Sequence, residues 1–261
     1  LLAASMNPLL EQSDSQPNSF HHERLTGFLN HGVMPFVGRT QEFQQLLLFW
    51  RGTLQAHGLR AALLTGEAGI GKSRLAEEFG KTFSQSYVFQ GLGPRPKQTN
   101  QDQLNHFAKK FSEQFDAPEM KFRSWEQAFT TLDKVITYAP TCVLFDEISW
   151  MGQKDKDFAG KLKVAWDTQF KKHDNLVLIV CGSVSSWIEA NILNKTDFVG
   201  RISLSLRVED LPLSYSSQFW RSLNLGTYEL FLGLCLTGGV PKYLEELAVK
   251  SLKERNVNNL S

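Results

Sequence analysis

The chain has 261 residues, of which 42% are hydrophobic and 21% are charged, and its formal net charge is +1. A chain of this length can form one large domain, or one domain with a small satellite. A charge so close to zero argues against binding nucleic acid by phosphate neutralisation over the whole surface, although a local basic patch would escape this count. The sequence has no run of about eighteen apolar residues, so we predict no membrane-spanning helix and no membrane partner.

The three cysteines, Cys142, Cys181 and Cys235, lie far apart in the sequence. Cys142 and Cys181 fall beside predicted core strands, where a thiol behaves as a small apolar group. No Cys or His pair has the spacing of metal ligands. We therefore predict reduced, structural cysteines and a cytoplasmic protein.

Regular structure is predicted to begin near residue 35, because residues 1–34 are rich in Ser, Gln, Asn and His and suit a flexible leader. Beyond it, hydrophobic periodicity predicts strands that alternate with helices. The strands are predicted at 61–65, 86–90, 141–146 and 175–182, and the helices at 72–84, 101–116, 124–139 and 157–172. This order is typical of an α/β fold with a parallel sheet covered on both faces.

The first predicted strand leads into a glycine-rich loop, in which Gly66 is followed by four residues and then by Gly71-Lys72-Ser73. Gly66, Gly69 and Gly71 allow backbone angles that turn successive N–H groups inward around phosphate oxygens. Lys72 supplies positive charge for the β- and γ-phosphates, and Ser73 offers a hydroxyl to Mg²⁺ at the start of the next helix. The spacing predicts a nucleotide-binding loop formed by Gly66, Glu67, Ala68, Gly69, Ile70, Gly71, Lys72, Ser73 and Arg74.

The third predicted strand is an apolar run that ends in two carboxylates, Asp146 and Glu147. At the carboxyl end of a buried strand, Asp146 can accept from a water or hydroxyl in the shell of a Mg²⁺ ion. Glu147 is predicted to polarise the attacking water as a general base. This strand resembles a Walker B element, and with the upstream loop it predicts Mg²⁺-dependent ATP hydrolysis, with Ser73 and Asp146 as metal-side groups and Glu147 and Lys72 as catalytic groups.

Ser183 follows the fourth predicted strand, where a small polar residue can reach the γ-phosphate or the attacking water as a catalytic group. Ser183 can equally cap the helix that follows. The basic, Gly/Pro-rich segment 91–97 suits either a partner-facing loop or a simple turn at the exit of a strand. The lysines between 161 and 172 are typical of a solvated helix face.

The stretch Phe36-Val37-Gly38-Arg39, with Glu42 after it, lies upstream of the phosphate-binding loop. It resembles the F-x-G-R-x-x-E box that opens the nucleotide domain of AAA+ and related STAND ATPases. The resemblance implies that Pro35, Phe36, Val37 and Gly38 contact the adenine base. Phe36 and Val37 are also apolar enough to pack in the protein core.

The segment 238–244 reads Gly-Gly-Val-Pro-Lys-Tyr-Leu. It resembles the G-G-[IV]-P-x-Y-L motif in the small helical domain of the prokaryotic, archaeal-type ATPases of the STAND group. The resemblance implies that Pro241 approaches the nucleotide from a helical lid. The glycines also end one helix and Pro241 starts the next, so a plain joint between two helices explains the same pattern.

Arg201 lies after the fourth strand, where this family carries an arginine that reaches the γ-phosphate of a neighbouring subunit. The resemblance makes Arg201 a candidate catalytic group, because an arginine there neutralises charge on the transferring phosphoryl group. A surface salt bridge is the alternative.

The resemblance implies a P-loop ATPase core over residues 35–211 and a helical lid over residues 212–261, with lid helices at 215–223, 228–236 and 242–252. Relatives usually continue into a winged-helix domain, so either a further C-terminal domain follows, through which nucleic acid would bind, or the chain is a minimal ATPase. Hydrolysis of ATP to ADP would drive a protein partner or a homo-oligomer as a switch or motor. The alternative is a signalling scaffold in which tightly bound nucleotide is a conformational latch with slow turnover.

Overall fold

The computed structural model describes residues 36–56, 60–183, 186–193, 198, 200–223 and 225–248. The predicted leader, Pro35 and the last part of the predicted lid lie outside these residues. Within them, a single sheet contains β1 (Arg60–Gly66), β2 (Gln85–Gln90), β3 (Thr141–Asp146), β4 (Leu176–Ser183) and β5 (Ile202–Arg207). The strand order is β2-β3-β4-β1-β5, and every pair of neighbours is parallel.

The helices of the core are α1 (Thr40–Ala56), α2 (Lys72–Gly80), α3 (Asn100–Phe115), α4 (Trp125–Val135), α5 (Ile148–Gly152) and α6 (Phe158–Thr168). A capping box starts α3: the side chain of Thr99 accepts from Asp102 N–H, and the Asp102 carboxylate accepts from Thr99 N–H. Both bonds satisfy donors that a helix start leaves unpaired, so the sequence fixes this boundary. A short π-helix, Glu189–Leu193, follows β4.

Successive side chains of β1 point to opposite faces of the sheet, and each face carries its own apolar cluster. Ala61 and Leu63 pack into the cluster formed with α3, α4 and α6, whereas Ala62 and Leu64 pack into the cluster formed with α1 and α2. All four are fully buried, as a parallel sheet covered on both faces requires. The first cluster is rich in aromatic rings, and Phe89 stacks on a ring of α3 with 4.3 Å between centroids.

A third apolar cluster forms the helical region after β5. It comprises Val37, Leu211, Phe219, Trp220, Leu223, Leu244 and Ala248. The backbone here runs through the helical turn Leu213–Ser216, the 3₁₀ segment Ser217–Leu223, α7 (Thr227–Thr237) and α8 (residues 241–248). We refer to residues 211–248 as the lid. In the described parts of the chain, no helix combines the length and apolar character needed to cross a bilayer.

The α/β fold with a parallel sheet is confirmed, and all four predicted strands are present. The predicted helices end earlier than expected: the helix at 72–84 stops at Gly80, that at 124–139 stops at Val135, and that at 157–172 becomes a 3₁₀ turn after Thr168. Among the strands and core helices named above, three are additional to the prediction. They are α1, which covers one face of the sheet, α5, a short helix directly after Glu147, and β5, which forms an edge beside β1.

Candidate active site

The carboxyl ends of β1, β3 and β4 meet at one edge of the sheet, and the predicted loop leaves β1 there. Gly69 and Gly71 have positive φ angles of 81° and 95°, which L side chains rarely adopt. Gly71 is the N-cap of α2 and supplies no side-chain cap. The first N–H groups of α2 are therefore directed to the site without a competing acceptor from that residue, as an anion-binding helix start requires.

Gly66 is required by a close approach of two strands. A Cβ atom at this position would lie 2.4 Å from the carbonyl oxygen of Val208, in the backbone that continues β5. The chain is held at this point because Val208 N–H donates to Thr65 O over 2.7 Å. No rotation of a side chain can relieve such a contact.

We expect Gly66→Ala to lower the free energy of unfolding by about 1–3 kcal/mol, because the added methyl group overpacks a buried backbone contact. Chemical denaturation measures this change. Gly160→Ala is the matched control, since Gly160 lies in α6 with nothing within 4 Å of an added Cβ. That control should be neutral or stabilising by about 0.5–1 kcal/mol. Equal stability of the two variants would contradict the expected clash.

Lys72 lies beneath the loop and is only 4% exposed. Its Nζ donates to the carbonyl oxygens of Gly66 and Glu67 over 3.1 and 2.8 Å. Burial lowers the pKa of Lys72, and the charges of Glu147, Cys181 and Asp146 oppose that shift. An ammonium group carries three donors, so one proton of Lys72 remains for a phosphate oxygen.

Asp146 ends β3 and is 2% exposed. Its Oδ1 accepts a hydrogen bond from Ser73 Oγ over 2.9 Å, which joins the two groups predicted on the metal side. Its Oδ2 accepts from Gln90 Nε2 over 3.1 Å. Burial raises the pKa of Asp146, while the bonds from Ser73 and Gln90 act in the opposite direction. Gln90 is a site residue that the sequence analysis missed; its place at the end of β2 is the signal that could have found it.

Glu147 follows Asp146 with φ 50° and ψ 49°, a left-handed conformation that costs a non-glycine residue about 1–3 kcal/mol. Its carboxylate accepts a hydrogen bond from the backbone N–H of Ser183. Its Oε2 atom is buried and has no hydrogen-bond partner within the described ranges. Burial, and after it the charge of Asp146, raise the pKa of Glu147. A strained, half-buried carboxylate with a free oxygen is suited to accept a proton.

Ser183 therefore contributes its backbone N–H to the site. It pairs in register with Gly66 across β4 and β1, so it lies at the mouth of the loop. Its backbone N–H orients Glu147. Whether its hydroxyl also reaches a substrate stays a prediction.

Arg39 is a second residue that the sequence analysis did not assign to the site. It is 6% exposed, and its guanidinium donates to Ile70 O and to Glu42 Oε1, both over 2.9 Å. This contact braces the phosphate-binding loop from the F-x-G-R box. The neighbouring residues of the box pack on protein: Phe36 against the α1–α2 cluster, and Val37 within the lid cluster.

Gly38 has little space on its lid side. A Cβ there would approach Leu211 and the Tyr215 ring to 3.0 and 3.1 Å. These placements join the box to both the core and the lid. Contact of the box with an adenine base stays a prediction, and Pro35 lies outside the described residues.

The lid touches the phosphate-binding loop at the start of α8. Lys242 N–H donates to Gly69 O over 3.2 Å, and a Cβ at Gly69 would lie 2.9 Å from Lys242 Cβ. Pro241 lies beside Gly71, with its ring carbon 3.8 Å from an ideal Cβ there. The motif is therefore a joint between two helices that also lies against the loop.

The remaining loop residues differ in environment. Glu67 and Ala68 are exposed, whereas Ile70 is 1% exposed and packs in the α1–α2 cluster. Arg74 pairs with Glu78 over 3.4 Å. Burial raises the pKa of Glu245 on α8, and the charge of Arg74 opposes that shift. Arg74 thus acts from α2 on a residue of the lid.

Arg201 forms a two-bond ion pair with Asp167 at the end of α6. Its Nε and Nη2 donate to Oδ1 and Oδ2 of Asp167 over 2.9 and 2.7 Å. Lys163 approaches the same carboxylate to 3.6 Å. The salt bridge foreseen as the alternative is present in the molecule, and a role of Arg201 in a neighbouring subunit stays a prediction.

Residues 35–163, just under half of the chain, match the family model described as an AAA ATPase domain. This segment is therefore similar to an AAA ATPase domain. The match begins at the F-x-G-R box and ends in α6, so it includes the phosphate-binding loop, Asp146 and Glu147. No curated protein matches the sequence.

Solved structures show that the sheet with its flanking helices and the lid together have the fold of P-loop ATPases. A Walker-type ATPase of Pyrococcus abyssi is 18% identical, with a TM-score of 0.57 over 84% of this chain and 68% of that one. The ORC2 protein of Aeropyrum pernix is 14% identical, with a TM-score of 0.60 over 86% and 71%. A RuvB variant of Thermotoga maritima is 14% identical, with a TM-score of 0.57 over 86% and 66%. The chain thus spans about two thirds of the length of each, and the likeness concerns the fold.

Proposed function

We propose that this P-loop ATPase hydrolyses ATP to ADP and phosphate in a Mg²⁺-dependent reaction, and that hydrolysis acts as a switch or motor on a partner. The observation that carries the proposal is the bond between Ser73 Oγ and Asp146 Oδ1, 2.9 Å long, beside the N-terminus of α2. The similar ORC2 structure is one of ADPNP–ADP complexes, which supports an adenine nucleotide as ligand.

The donor set at Ser73 and Asp146 fits Mg²⁺, which binds proteins through few oxygen ligands and completes its shell with phosphates and water. Ser73 and Asp146 would hold the ion, and Gln90 would keep the Asp146 carboxylate oriented. Bound there, Mg²⁺ supplies positive charge to the phosphates of ATP.

Different residues of the chain bind the phosphates and accept the proton. The N–H groups at the start of α2 and the third proton of Lys72 bind phosphate oxygens. Glu147 Oε2 accepts a proton from a water molecule whose oxygen attacks the γ-phosphorus. As that P–O bond forms, the bond from the γ-phosphorus to the β–γ bridging oxygen breaks and ADP leaves with the electron pair.

The second candidate function is a latch that holds nucleotide tightly and turns over slowly. The contacts of Lys242 with Gly69 and of Pro241 with Gly71 favour it, because a lid that rests on the phosphate-binding loop can retain a bound nucleotide. The lid is also joined to the F-x-G-R box through Val37. Lid position and nucleotide state would then depend on each other.

Steady-state hydrolysis, measured together with the nucleotide that remains on the purified protein, separates the two functions. A switch or motor should turn over with rates of about 1 s⁻¹ or more, whereas a latch should keep nearly one nucleotide per chain and turn over far more slowly. In either case Lys72→Ala should weaken ATP binding by about tenfold to a hundredfold, since charge-assisted bonds contribute about 1.5–3 kcal/mol each.

Calorimetric titration of ATP measures the Lys72→Ala effect, and Lys81→Ala is the control because Lys81 lies just beyond α2 and pairs with Glu78 over 2.7 Å. Thermal unfolding should show both variants folded. Wild-type ATP affinity in Lys72→Ala would refute the nucleotide site itself.

A further inference from the structure

We infer that a basic cavity beside α3 binds the phosphate groups of a nucleic-acid strand. The cavity has a volume of about 450 Å³ and lies where the segment after β2 meets the first turns of α3. Its walls include Arg95, Lys97, Gln98, Asp102, His106 and Lys109. This site is separate from the phosphate-binding loop.

The charges that face the cavity are predominantly positive. Arg95, Lys97 and Lys109 stand against the single carboxylate of Asp102, which is already engaged: its Oδ2 accepts from Thr99 N and Thr99 Oγ1, each over 2.8 Å. Within the described part of the chain, Arg95 and Lys97 form no ion pair. Two cations are thus available to an anion from solution.

An uncharged donor adds to this preference. Gln98 lines the cavity, and its Nε2 is buried and donates to no acceptor among the described residues, whereas its Oε1 already accepts from Arg95 N–H over 3.3 Å. A ligand that fits must accept hydrogen bonds and carry negative charge, as a phosphodiester does.

The cavity continues along α3 in a way that favours a strand. A second cavity of about 440 Å³ shares Asn105 and Lys109 with the first and extends to Met120 and Lys121. From Asp102 to Ser112 the helix covers about 15 Å. The second cavity also contains Glu113 and Glu119, so it is close to neutral. A strand whose phosphate contacts the first cavity can place the sugar and base of the next nucleotide over this surface.

The first cavity is also joined to the ATP site, so this part of the inference rests on the proposed function. Gln103, which is 2% exposed, bonds both the N–H and the carbonyl of Leu92 over 2.9 Å. The adjacent Gly91 N–H donates to Asp146 O over 2.9 Å, and a Cβ at Gly91 would lie 2.6 Å from Glu147 O. A strand that moves the segment 91–97 would therefore disturb the backbone of Asp146 and Glu147.

The test is fluorescence anisotropy of a labelled twenty-nucleotide oligo(dT) with the full chain, at a series of salt concentrations and without ATP. Arg95→Ala/Lys97→Ala should weaken binding about tenfold or more and make the slope of log affinity against log salt shallower by about 1.4, the value for two lost contacts to a single strand. The matched control is Lys171→Ala/Lys172→Ala, which removes two exposed lysines from the 3₁₀ turn Phe170–Lys172. It should stay within about twofold of the wild type.

Three results would overturn the inference: no binding by the wild type, equal losses in the two double variants, or competition by polyglutamate as strong as by unlabelled oligo(dT), which would assign the cavity to acidic proteins. Because the assay contains no ATP, its outcome does not depend on the proposed ATPase. In a second measurement, oligo(dT) should change the ATPase rate of the wild type and not that of Arg95→Ala/Lys97→Ala. Binding without any change in rate would refute the link through Gly91.

Discussion

Glu147→Gln is expected to slow ATP hydrolysis by about two orders of magnitude or more, while ATP and Mg²⁺ remain bound. The amide cannot accept a proton from water, but it keeps the size of the side chain. The Ser73–Asp146 bond does not involve the Glu147 side chain, and the substitution keeps the backbone N–H of residue 147 that bonds the Asp146 carboxylate. The variant should therefore separate binding from chemistry.

Release of phosphate under steady-state conditions and ATP affinity by calorimetry give the two readings for Glu147→Gln. Glu126→Gln is the control, since Glu126 is an exposed carboxylate on α4 that approaches Lys161 to 3.7 Å. Its hydrolysis and affinity should match the wild type. Wild-type hydrolysis in Glu147→Gln would place the general base on another residue.

Arg201→Ala should lower hydrolysis by about three orders of magnitude or more if Arg201 completes the site of a neighbouring subunit, because a catalytic arginine contributes that much to phosphoryl transfer. ATP affinity should stay unchanged. Within its own chain Arg201 is held by Asp167 through bonds of 2.9 and 2.7 Å. Asp167→Ala breaks the same ion pair and keeps the arginine, so it isolates the catalytic contribution.

Mixing two inactive variants then decides where Arg201 acts. Arg201→Ala retains an intact Lys72, and Lys72→Ala retains an intact Arg201, so shared sites should recover part of the activity. If Arg201→Ala and Asp167→Ala lose stability to the same degree and neither loses hydrolysis, the ion pair has a structural role alone. No recovery on mixing, with a monomeric elution profile in ATP, would favour the latch.

The parts of the site that the sequence could predict are those encoded by short local patterns. The loop from Gly66 to Ser73 and the two carboxylates at the end of β3 each occupy only a few consecutive residues. The parallel sheet then places the carboxyl ends of β1 and β3 at the same edge. Helix α1 and strand β5 also carry readable periodicity. Phe43, Leu46, Leu47 and Trp50 share one helical face, and Ile202, Leu204 and Leu206 alternate with polar residues.

The contacts that no local pattern could predict join residues far apart in sequence. Arg39 reaches Ile70, and Lys242 reaches Gly69. Each pairing depends on how the sheet, the box and the lid pack together. A single sequence does not indicate which of its distant residues will be in contact. The bond of Arg201 to Asp167 could not be predicted for the same reason, because it follows from the packing of α6 beside β5.

The three cysteines have a practical consequence for measuring movement of the lid. Cys142 and Cys181 are buried in the sheet, and burial raises the pKa of Cys142 to about 12 and that of Cys181 well above its usual value, so neither thiol is reactive in the folded chain. Cys235 is exposed on α7, next to the exposed side chain of Leu236. A maleimide dye should therefore label the native protein at one position on the lid. Its fluorescence would test whether α7 moves when nucleotide binds, without any engineered cysteine.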